Sequence, residues 1–367
     1  MKVIFVWYCF SLSVLLQPWN VCAQYTIHGT VKGNVTGNVL LISSSHDKKD
    51  TLAIAEIKNG RFTIKGGINE ITCATLVIDG MLSAQLFLEN NEVFNVEFES
   101  MKAPEVFGGG WNQHLSREFR KIEEKKILNL RGFVPRLAEA YAQKDSLAID
   151  KIREERTSVL EKSQEEKENF YQEYGETFFV LHDLARRALG MSVDDVRKAF
   201  DRFSDELKAT SPGRYIANLL PKLAKIAIGA VVPDFISTTS SGGKISLYEV
   251  KSKVKLIDFW SSNCGRCRVE NRLIRPIYEQ YHDKGFEVIG YSLDTKRDLW
   301  LEAIAEDKLP WIQVSDLGGL KMKFMIENYG IWSLPANLLV DKDNKVIARN
   351  ITSEELGKLL PKLLEKD

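Results

Sequence analysis

Residues 24 to about 110 alternate hydrophobic and polar positions over short runs, which is the pattern of half-buried β-strands. Asn and Gly pairs punctuate the runs, and the segment AEIKNGRFTIKG predicts a hairpin that turns at Asn59-Gly60. Strands of this length and spacing indicate a small antiparallel all-β domain, a sandwich or a barrel, over residues 24–110. The predicted strands are YTIHGTV, NVLLIS, TLAIAEI, RFTIKG, TCATLVID, AQLFLE and VFNVEFE.

The pattern changes after the segment FGGGW, and residues 111–228 carry many opposite charges three or four positions apart. Such pairs support the exposed faces of helices, so this stretch is predicted to be helical. Ser192 precedes one helical run, and Asp195 lies three residues after Ser192. This spacing is close to that of a capping box. The charged faces are either solvated or available to another chain, and the sequence leaves both possibilities open.

From residue 229 to residue 367, strand-like and helix-like runs alternate. This order predicts an α/β domain whose parallel strands are joined by helical crossovers, with an antiparallel hairpin and an amphipathic helix at the end. The strand runs are KVKLIDFW, FEVIGYSLD and the hairpin ANLLVDKDNKVIARN, and the helical runs are RVENRLIRPIYEQYHDKG, RDLWLEAIAEDK and SEELGKLLPKLLEKD.

Residues 1–23 read as a secretory signal. Lys2 precedes an apolar run that closes on Val21-Cys22-Ala23, a small-residue cleavage site. The run is short and is interrupted by Ser, Gln and Pro, which argues against a transmembrane anchor. A lipid-modified Cys22 is an alternative, although the preceding residues lack the usual Leu and small side chains. We therefore expect an exported protein of the periplasm or cell envelope, cut after Ala23.

Composition and cysteine count narrow the function classes. The chain has 50 basic and 50 acidic residues, and the absence of a basic excess argues against a nucleic-acid partner. Removal of the leader would leave Cys73, Cys264 and Cys267, too few for a disulfide framework. Cys73 lies in an apolar β-like run and is expected to be a buried small hydrophobe.

The segment LIDFWSSNCGRCRVEN holds the remaining pair, Cys264 and Cys267, where a strand gives way to a helix. Unpaired backbone N–H groups and the helix dipole favour a thiolate on the first cysteine, and the two-residue spacer allows a disulfide that forms and breaks easily. A structural zinc site would need four ligands, but the five histidines are scattered and no second C-x-x-C exists. The pattern favours redox chemistry, with neither a metal nor another cofactor.

Residues 229–367 resemble the thioredoxin superfamily, specifically its TlpA/ResA/DsbE-like envelope branch. The resemblance rests on four features that arrive in order: VVPDF, GGKISLYEVKSKVKLIDFW, the C-x-x-C and YGIWSLPANLLVDKDNKVI. It implies a thioredoxin-like domain in which Asp258 is a buried acid with a raised pKa and the Leu334–Pro335 bond is cis. A β-rich domain before such a domain has no established activity, so residues 24–110 add no chemistry.

The resemblance also implies roles for individual residues. Cys264 would attack a substrate disulfide and Cys267 would resolve the mixed disulfide. Asp258 would take the proton, with Glu270 as a further catalytic acid or merely an exposed charge. Four residues are expected to contact substrate, namely Pro335, Leu334, Arg266 and Trp260.

The sequence departs from the family pattern at three places. Asn263 replaces a common tryptophan, Arg266 replaces the residue usual before the second cysteine, and Arg272 stands where a helix-kinking proline is frequent, with Pro276 one turn later. Arg266, Arg268, Arg272 and Arg275 would concentrate positive charge at the site. A cation beside Cys264 favours its thiolate and makes the disulfide more oxidising, unless these arginines are only solvated.

The expected function is a thiol–disulfide oxidoreductase of the cell envelope. The resemblance implies a reductase of protein disulfides, fed by a membrane electron donor as in cytochrome c maturation. A peroxiredoxin-like peroxide reductase is one alternative, although FWSSN before Cys264 lacks the Pro and Thr of that signature. A non-catalytic binding or sensor protein, acting through residues 24–228, is the other. Substrate identity, direction of electron flow and oligomeric state do not follow from the sequence.

Overall fold

The computed structural model describes residues 24–44, 50–320 and 322–365. The predicted leader, including its cleavage site and Cys22, lies outside these residues. Within them, no helix combines the length and the apolar character needed to cross a bilayer. Two compact units divide the chain between Ser163 and Gln164.

Strands that alternate in burial form the first part of the first unit, as predicted. They are β1 (Tyr25–Val31), β2 (Asn38–Ser43), β3 (Thr51–Glu56), β4 (Arg61–Gly66), β5 (Thr72–Ile78), β6 (Ala84–Leu88), β7 (Val93–Phe98) and β8 (Glu105–Gly108). They form two four-stranded sheets in the described part of this unit, with orders β4-β1-β7-β8 and β3-β2-β5-β6. The inward residues of both sheets, such as Ile27, Phe94, Leu41 and Leu76, share one hydrophobic cluster, so the domain is a β-sandwich.

Two details differ from the antiparallel prediction. Strands β1 and β7 pair in parallel, whereas their neighbours pair antiparallel. Asn59 and Gly60 adopt positive φ angles of 50° and 69°, as a tight turn requires, but β3 and β4 belong to different sheets. Instead of the predicted hairpin, Lys58 and Arg61 form a single isolated β-bridge, because the chain crosses from one sheet to the other at this turn.

Helices occupy the region predicted to be helical, and the unit boundary falls inside α3. The helices are α1 (Trp111–Arg131), α2 (Phe133–Gln143), α3 (Ser146–Glu173), α4 (Phe178–Arg187), α5 (Val193–Asp201), α6 (Asp205–Lys208) and α7 (Ser211–Ala224), with a 3-10 turn at Ala188–Gly190. Ser192 caps α5 by accepting a hydrogen bond from Asp195 N, as expected. Helices α4 to α7 belong to the second unit, and Lys225 just after α7 donates to Asn328 of the α/β domain.

The α/β domain alternates strands and helices in the predicted order. Its elements are β9 (Ile236–Thr238), β10 (Lys244–Ser246), β11 (Val254–Trp260), α8 (Gly265–Tyr281), β12 (Phe286–Ser292), α9 (Arg297–Asp307), β13 (Ile312–Ser315), α10 (Lys323–Tyr329), β14 (Ala336–Asp341), β15 (Val346–Arg349) and α11 (Ser353–Leu364), with 3-10 turns at Leu247–Glu249 and His282–Lys284. The described residues form a five-stranded sheet of order β13-β12-β11-β14-β15. Strands β11, β12 and β13 pair in parallel, and β14 and β15 are antiparallel, which is the thioredoxin-like architecture.

Strand β11 lies at the centre of this sheet and is buried along its whole length. Its side chains alternate between the two faces, so Leu256 and Trp260 lie on the same face and join the cluster that contains Ile274 of α8 and Leu356 of α11. This packing fixes the carboxyl end of β11 against the first turn of α8. The cysteine pair lies at that junction.

Candidate active site

Cys264 is the N-cap residue of α8, and Cys267 lies in the first turn of that helix. A disulfide joins the two residues, whose Cα atoms are 5.3 Å apart. The backbone N–H of Cys267 donates to the Sγ atom of Cys264 over 3.2 Å. In the reduced protein this N–H and the helix dipole would stabilise a thiolate on Cys264, as the sequence predicts.

The two sulfurs differ in accessibility. Cys267 is only 2% exposed and belongs to the hydrophobic cluster beneath α8, whereas Cys264 is partly exposed and packs at the edge of that cluster. An incoming disulfide can therefore reach Cys264 and not Cys267. This asymmetry matches a nucleophile followed by a resolving thiol.

Asp294 holds the loop that carries Cys264, and the sequence reading missed it. Its carboxylate accepts hydrogen bonds from the Ser262 backbone N–H at 2.9 Å and from the Ser262 hydroxyl at 2.7 Å. Ser292 donates to the same carboxylate over 2.8 Å. Asp294 follows β12, the parallel neighbour of β11, so an acid at the carboxyl end of an adjacent strand was the available signal.

Asp258 is a buried acid on β11, as predicted. It lies two residues from both Leu256 and Trp260 and so shares the face of β11 that packs against α8. Burial, with a further contribution from the negative charge of Glu270, raises the pKa of Asp258 to about 7. Its Oδ2 atom has no hydrogen-bond partner among the described residues, so the group is suited to gain and lose a proton.

Glu270 lies on α8, one turn after Cys267, and joins two helices. Its carboxylate accepts a hydrogen bond from the backbone N–H of Ser353, the first residue of α11. A carboxylate is favoured at a helix N-terminus by the dipole and the free N–H groups. Glu270 is thus a structural link between α8 and α11 that also acts on Asp258 through its charge.

The four arginines near the cysteines do not act as one positive cluster. Arg268 donates to Asp307 and Glu306, each over 2.7 Å, and Arg272 donates to Asp307 over 2.7 Å. The guanidinium of Arg275 donates to the Asp307 backbone carbonyl over 3.3 Å. Acids at the carboxyl end of α9 neutralise Arg268 and Arg272. Arg275 lies 3.8 Å from Glu279 on its own helix, so the predicted charge concentration is wrong for these three.

Asp307 is only 3% exposed, so its negative charge is stabilised by its two arginine partners and not by water. Burial acts to raise the pKa of Asp307, but the hydrogen bonds from Arg268 and Arg272 outweigh burial and hold that pKa below its ordinary value. Arg266, by contrast, is exposed and forms no ion pair within the part of the chain that the structure describes. It is the arginine whose charge stays available beside Cys264.

The Leu334–Pro335 peptide bond is cis, as predicted. Leu334 packs at the edge of the same hydrophobic cluster as Cys264, so the two residues share one face of the domain core. Both Leu334 and Pro335 keep part of their surface exposed. They are placed where a substrate backbone could lie.

Trp260 requires a correction. It is fully buried, and its indole N–H donates to Gln313 Oε1 over 3.1 Å. A side chain with no accessible surface cannot contact a substrate directly, so the predicted contact is wrong. Trp260 supports the core beneath the C-x-x-C segment instead.

The residues that the structure describes contain no group of three or more His, Cys, Asp or Glu side chains arranged to hold a metal ion. Cys73 is a buried thiol, and Gln85 donates to its sulfur over 3.1 Å. Cys73 therefore has the structural position that was expected for it.

Comparisons with known proteins divide the chain in the same way. A family model described as the AhpC/TSA family matches residues 228–349, and one described as a domain of unknown function, DUF4369, matches residues 25–113. The thioredoxin domain of a thiol–disulfide oxidoreductase from Bacteroides vulgatus is 33% identical, with a TM-score of 0.36, and the match covers 38% of this chain and 99% of that domain.

Curated relatives are named thiol–disulfide oxidoreductase ResA. The protein of Bacillus thuringiensis subsp. konkukian is 32% identical over 145 residues, which cover 40% of this chain and 81% of that protein. The protein of Geobacillus thermodenitrificans is 25% identical over 150 residues, which cover 38% of this chain and 80% of the relative. By its sequence likeness to these relatives and the thioredoxin-like fold that carries its cysteine pair, this chain belongs to the thiol–disulfide oxidoreductase family.

Proposed function

We propose that this protein reduces disulfide bonds of exported proteins, with Cys264 as the nucleophile and Cys267 as the resolving thiol. The observation that carries the proposal is the position of a partly exposed Cys264 at the first turn of α8, joined to a buried Cys267. Helix N–H groups favour the thiolate on the sulfur that substrate can reach. The second sulfur is held within bonding distance of the first.

The reaction balances over two exchanges. The Cys264 thiolate attacks one substrate sulfur, the substrate disulfide breaks, and its other sulfur leaves as a thiolate. Deprotonated Cys267 then attacks Cys264, forms the Cys264–Cys267 disulfide and releases the second substrate thiolate. The substrate gains two electrons and takes up two protons, and a dithiol reductant returns the enzyme to its starting state.

Asp258 would serve as the base in the second exchange. Cys267 must lose its proton before it attacks, and the buried carboxylate lies on the face of β11 that packs against α8. A pKa of about 7 lets Asp258 accept that proton near neutral pH and release it afterwards. We assign Glu270 an indirect role, since it acts on Asp258 through charge while it anchors α11.

Substrate would lie against the cis-proline segment. Pro335 and Leu334 keep exposed surface beside the cluster that holds Cys264, so a polypeptide on them would present its disulfide to that sulfur. Arg266 would border the same surface and favour the Cys264 thiolate by its charge. We place the protein in the cell envelope, where a membrane electron donor would supply the reducing equivalents.

Insulin reduction tests the proposal. Insulin turbidity with dithiothreitol as reductant should rise fast with the wild-type protein and at the uncatalysed rate with Cys264→Ser. Cys73→Ser is the matched control, because it removes a thiol from the β-sandwich, and it should keep the wild-type rate. Equal rates for wild type and Cys264→Ser would refute the proposal.

Peroxide reduction is the second candidate, since the matching family model carries the AhpC/TSA description. It would require Cys264 to reduce hydrogen peroxide faster than protein disulfides. Single-turnover oxidation of the reduced enzyme by each oxidant separates the two functions. We expect the protein disulfide to react faster at equal concentration.

A further inference from the structure

A cleft of about 160 Å³ opens beside the cis-proline segment. Trp332 and Pro335 line it from that segment, Arg349 lines it from the end of β15, and Leu189 and Ile226 line it from the helical part of the same unit. The cleft is thus built partly by residues that precede the α/β domain. No acidic side chain is among the described residues that line it.

Arg349 is a cation without an acidic partner. Its guanidinium donates to the backbone carbonyl of Leu189 at the long distance of 3.4 Å, and it makes no ion pair with a described residue. Burial alone lowers its pKa, with no contribution from a nearby acid. Asp194 lines an adjoining cleft of about 520 Å³ that shares Arg349, yet it does not pair with the guanidinium. Since an unpaired, partly buried charge costs stability, fold stability does not account for an arginine here.

Trp332 is a second unusual residue in the wall of this cleft. Its indole Nε1 atom is buried and has no acceptor among the described residues. A buried N–H without an acceptor is uncommon in proteins and costs free energy. Lys222 lies over the Trp332 ring, with its Nζ atom 5.3 Å from the ring centre, and adds a second positive charge nearby.

A carboxylate would satisfy the unpaired cation. The planar guanidinium of Arg349 matches the geometry of a carboxylate, and both carboxylate oxygens can accept hydrogen bonds from it. Because Pro335 lines the same cleft, a polypeptide that lies on the cis-proline segment would have this cleft within reach of one of its side chains. A free anion has no such reason to be placed there.

We propose that this cleft is a specificity pocket that accepts one Asp or Glu side chain of the substrate polypeptide near its disulfide. The inference rests on the proposed function and deepens it by naming a substrate class: proteins with an acidic residue close to the target cysteine. The helical residues Leu189 and Ile226 complete the pocket, so the helices before the α/β domain contribute to substrate choice.

Peptide disulfides test this pocket. The probes are ten-residue peptides with one cysteine, blocked as a mixed disulfide with 2-mercaptoethanol, and with Glu or its isostere Gln at each of the three positions on either side. The reduced full-length enzyme is mixed with each peptide in a single turnover and quenched for mass spectrometry. Glu should exceed Gln about tenfold in second-order rate constant at one or two positions, as a charge-assisted hydrogen bond allows.

Variants assign the effect to Arg349. Arg349→Gln should bring the Glu-to-Gln ratio to about one, and Arg349→Lys should keep part of it. Lys342→Gln removes one exposed positive charge from the β14–β15 turn and should keep the wild-type ratio. A wild-type ratio near one at every position, or a ratio unchanged in Arg349→Gln, would overturn the inference.

The outcomes separate this inference from the proposed function. If the wild-type enzyme reduces Glu and Gln peptides equally well, the pocket is wrong and the reductase function stands. If it reduces neither, the proposed function fails and the pocket fails with it. If circular dichroism shows that Arg349→Gln is unfolded, the Glu-to-Gln ratios of the wild type and of Arg349→Lys decide the test. A ratio of about one in both proteins would overturn the inference.

Discussion

The β-sandwich and the thioredoxin-like domain both bury extended strands, but they bury different side chains. Among the described residues of 24–110, no Asp, Glu, Lys or Arg is buried, and the shared cluster is apolar. The thioredoxin-like sheet buries Asp258 and Lys255 on its central strand and Asp294 just beyond its neighbour. Buried polar groups cost stability unless they are paired, so their concentration in one domain marks where chemistry is done.

The largest expected effect on turnover is the difference between replacing a cysteine of the thioredoxin-like domain and replacing the cysteine of the β-sandwich. Cys267→Ser should let Cys264 attack but prevent resolution, so a mixed disulfide with substrate accumulates and turnover falls at least about a thousandfold. Cys73→Ser should keep full turnover. Mass spectrometry of the trapped adduct checks this, and an adduct on Cys73, or none, would contradict the assignment.

The next effect concerns the acid that neutralises the arginines. Asp307→Asn should cost roughly 3 kcal/mol in the free energy of unfolding, because it leaves Arg268 and Arg272 without their shared buried partner. Arg136→Gln, which breaks an exposed pair with Glu155 in the first unit, should cost much less than Asp307→Asn, because water screens that pair. Urea denaturation compares the two, and equal costs would show that the Asp307 network is not structural.

The buried acid predicts a dependence of stability on pH. Because burial raises the pKa of Asp258 from 3.8 to about 7, the folded protein holds a proton that the unfolded chain releases. Stability should therefore fall as pH rises from about 4 to about 7, and then level off. Asp258→Asn removes this loss and should be more stable than wild type by on the order of 2–4 kcal/mol at pH 8.

A change in the apolar core of the sandwich provides the contrast to Asp258→Asn. Leu76→Ala, in the apolar cluster, should cost about 2–5 kcal/mol at every pH from 4 to 8. Thermal melts across this range measure both variants. A wild type and Asp258→Asn with parallel stability profiles would show that Asp258 does not carry the titration.

The smallest expected effect belongs to Arg266. Arg266→Gln should make the reduction potential of the pair more negative by roughly 5–20 mV, since an exposed charge contributes no more than about 1 kcal/mol. Arg272→Gln should shift it less, because Asp307 already neutralises that guanidinium. Shifts of equal size would restore the idea of a common arginine cluster.

Local sequence predicted the parts of the site that depend on local geometry. The C-x-x-C at a strand-to-helix junction placed Cys264 at the N-terminus of α8, and the apolar run around Asp258 indicated a buried acid. The sequence around Pro335 resembles the family's proline segment and therefore predicted a cis peptide bond, which the structure contains. Each of these inferences needed only a few neighbouring residues.

The features that sequence reasoning missed depend on distant pairs. Asp307 lies 39 residues from Arg268, and Asp294 lies 32 residues from Ser262, so no local pattern joined them. The turn at Asn59 was recognised, but whether its strands share a sheet depends on which partner each strand meets across the core. Trp260 was expected at the surface beside the cysteines, and its depth follows from packing against α8.

We propose that the Cys264–Cys267 pair works as a reductant of protein disulfides. Its most direct test is the reduction potential of the pair in the full-length protein, measured by equilibration with glutathione or dithiothreitol buffers and thiol alkylation. We predict a value closer to thioredoxin's, about −270 mV, than to about −120 mV. A value near about −120 mV would mean that the pair oxidises its partners, and it would contradict the proposed reductase function.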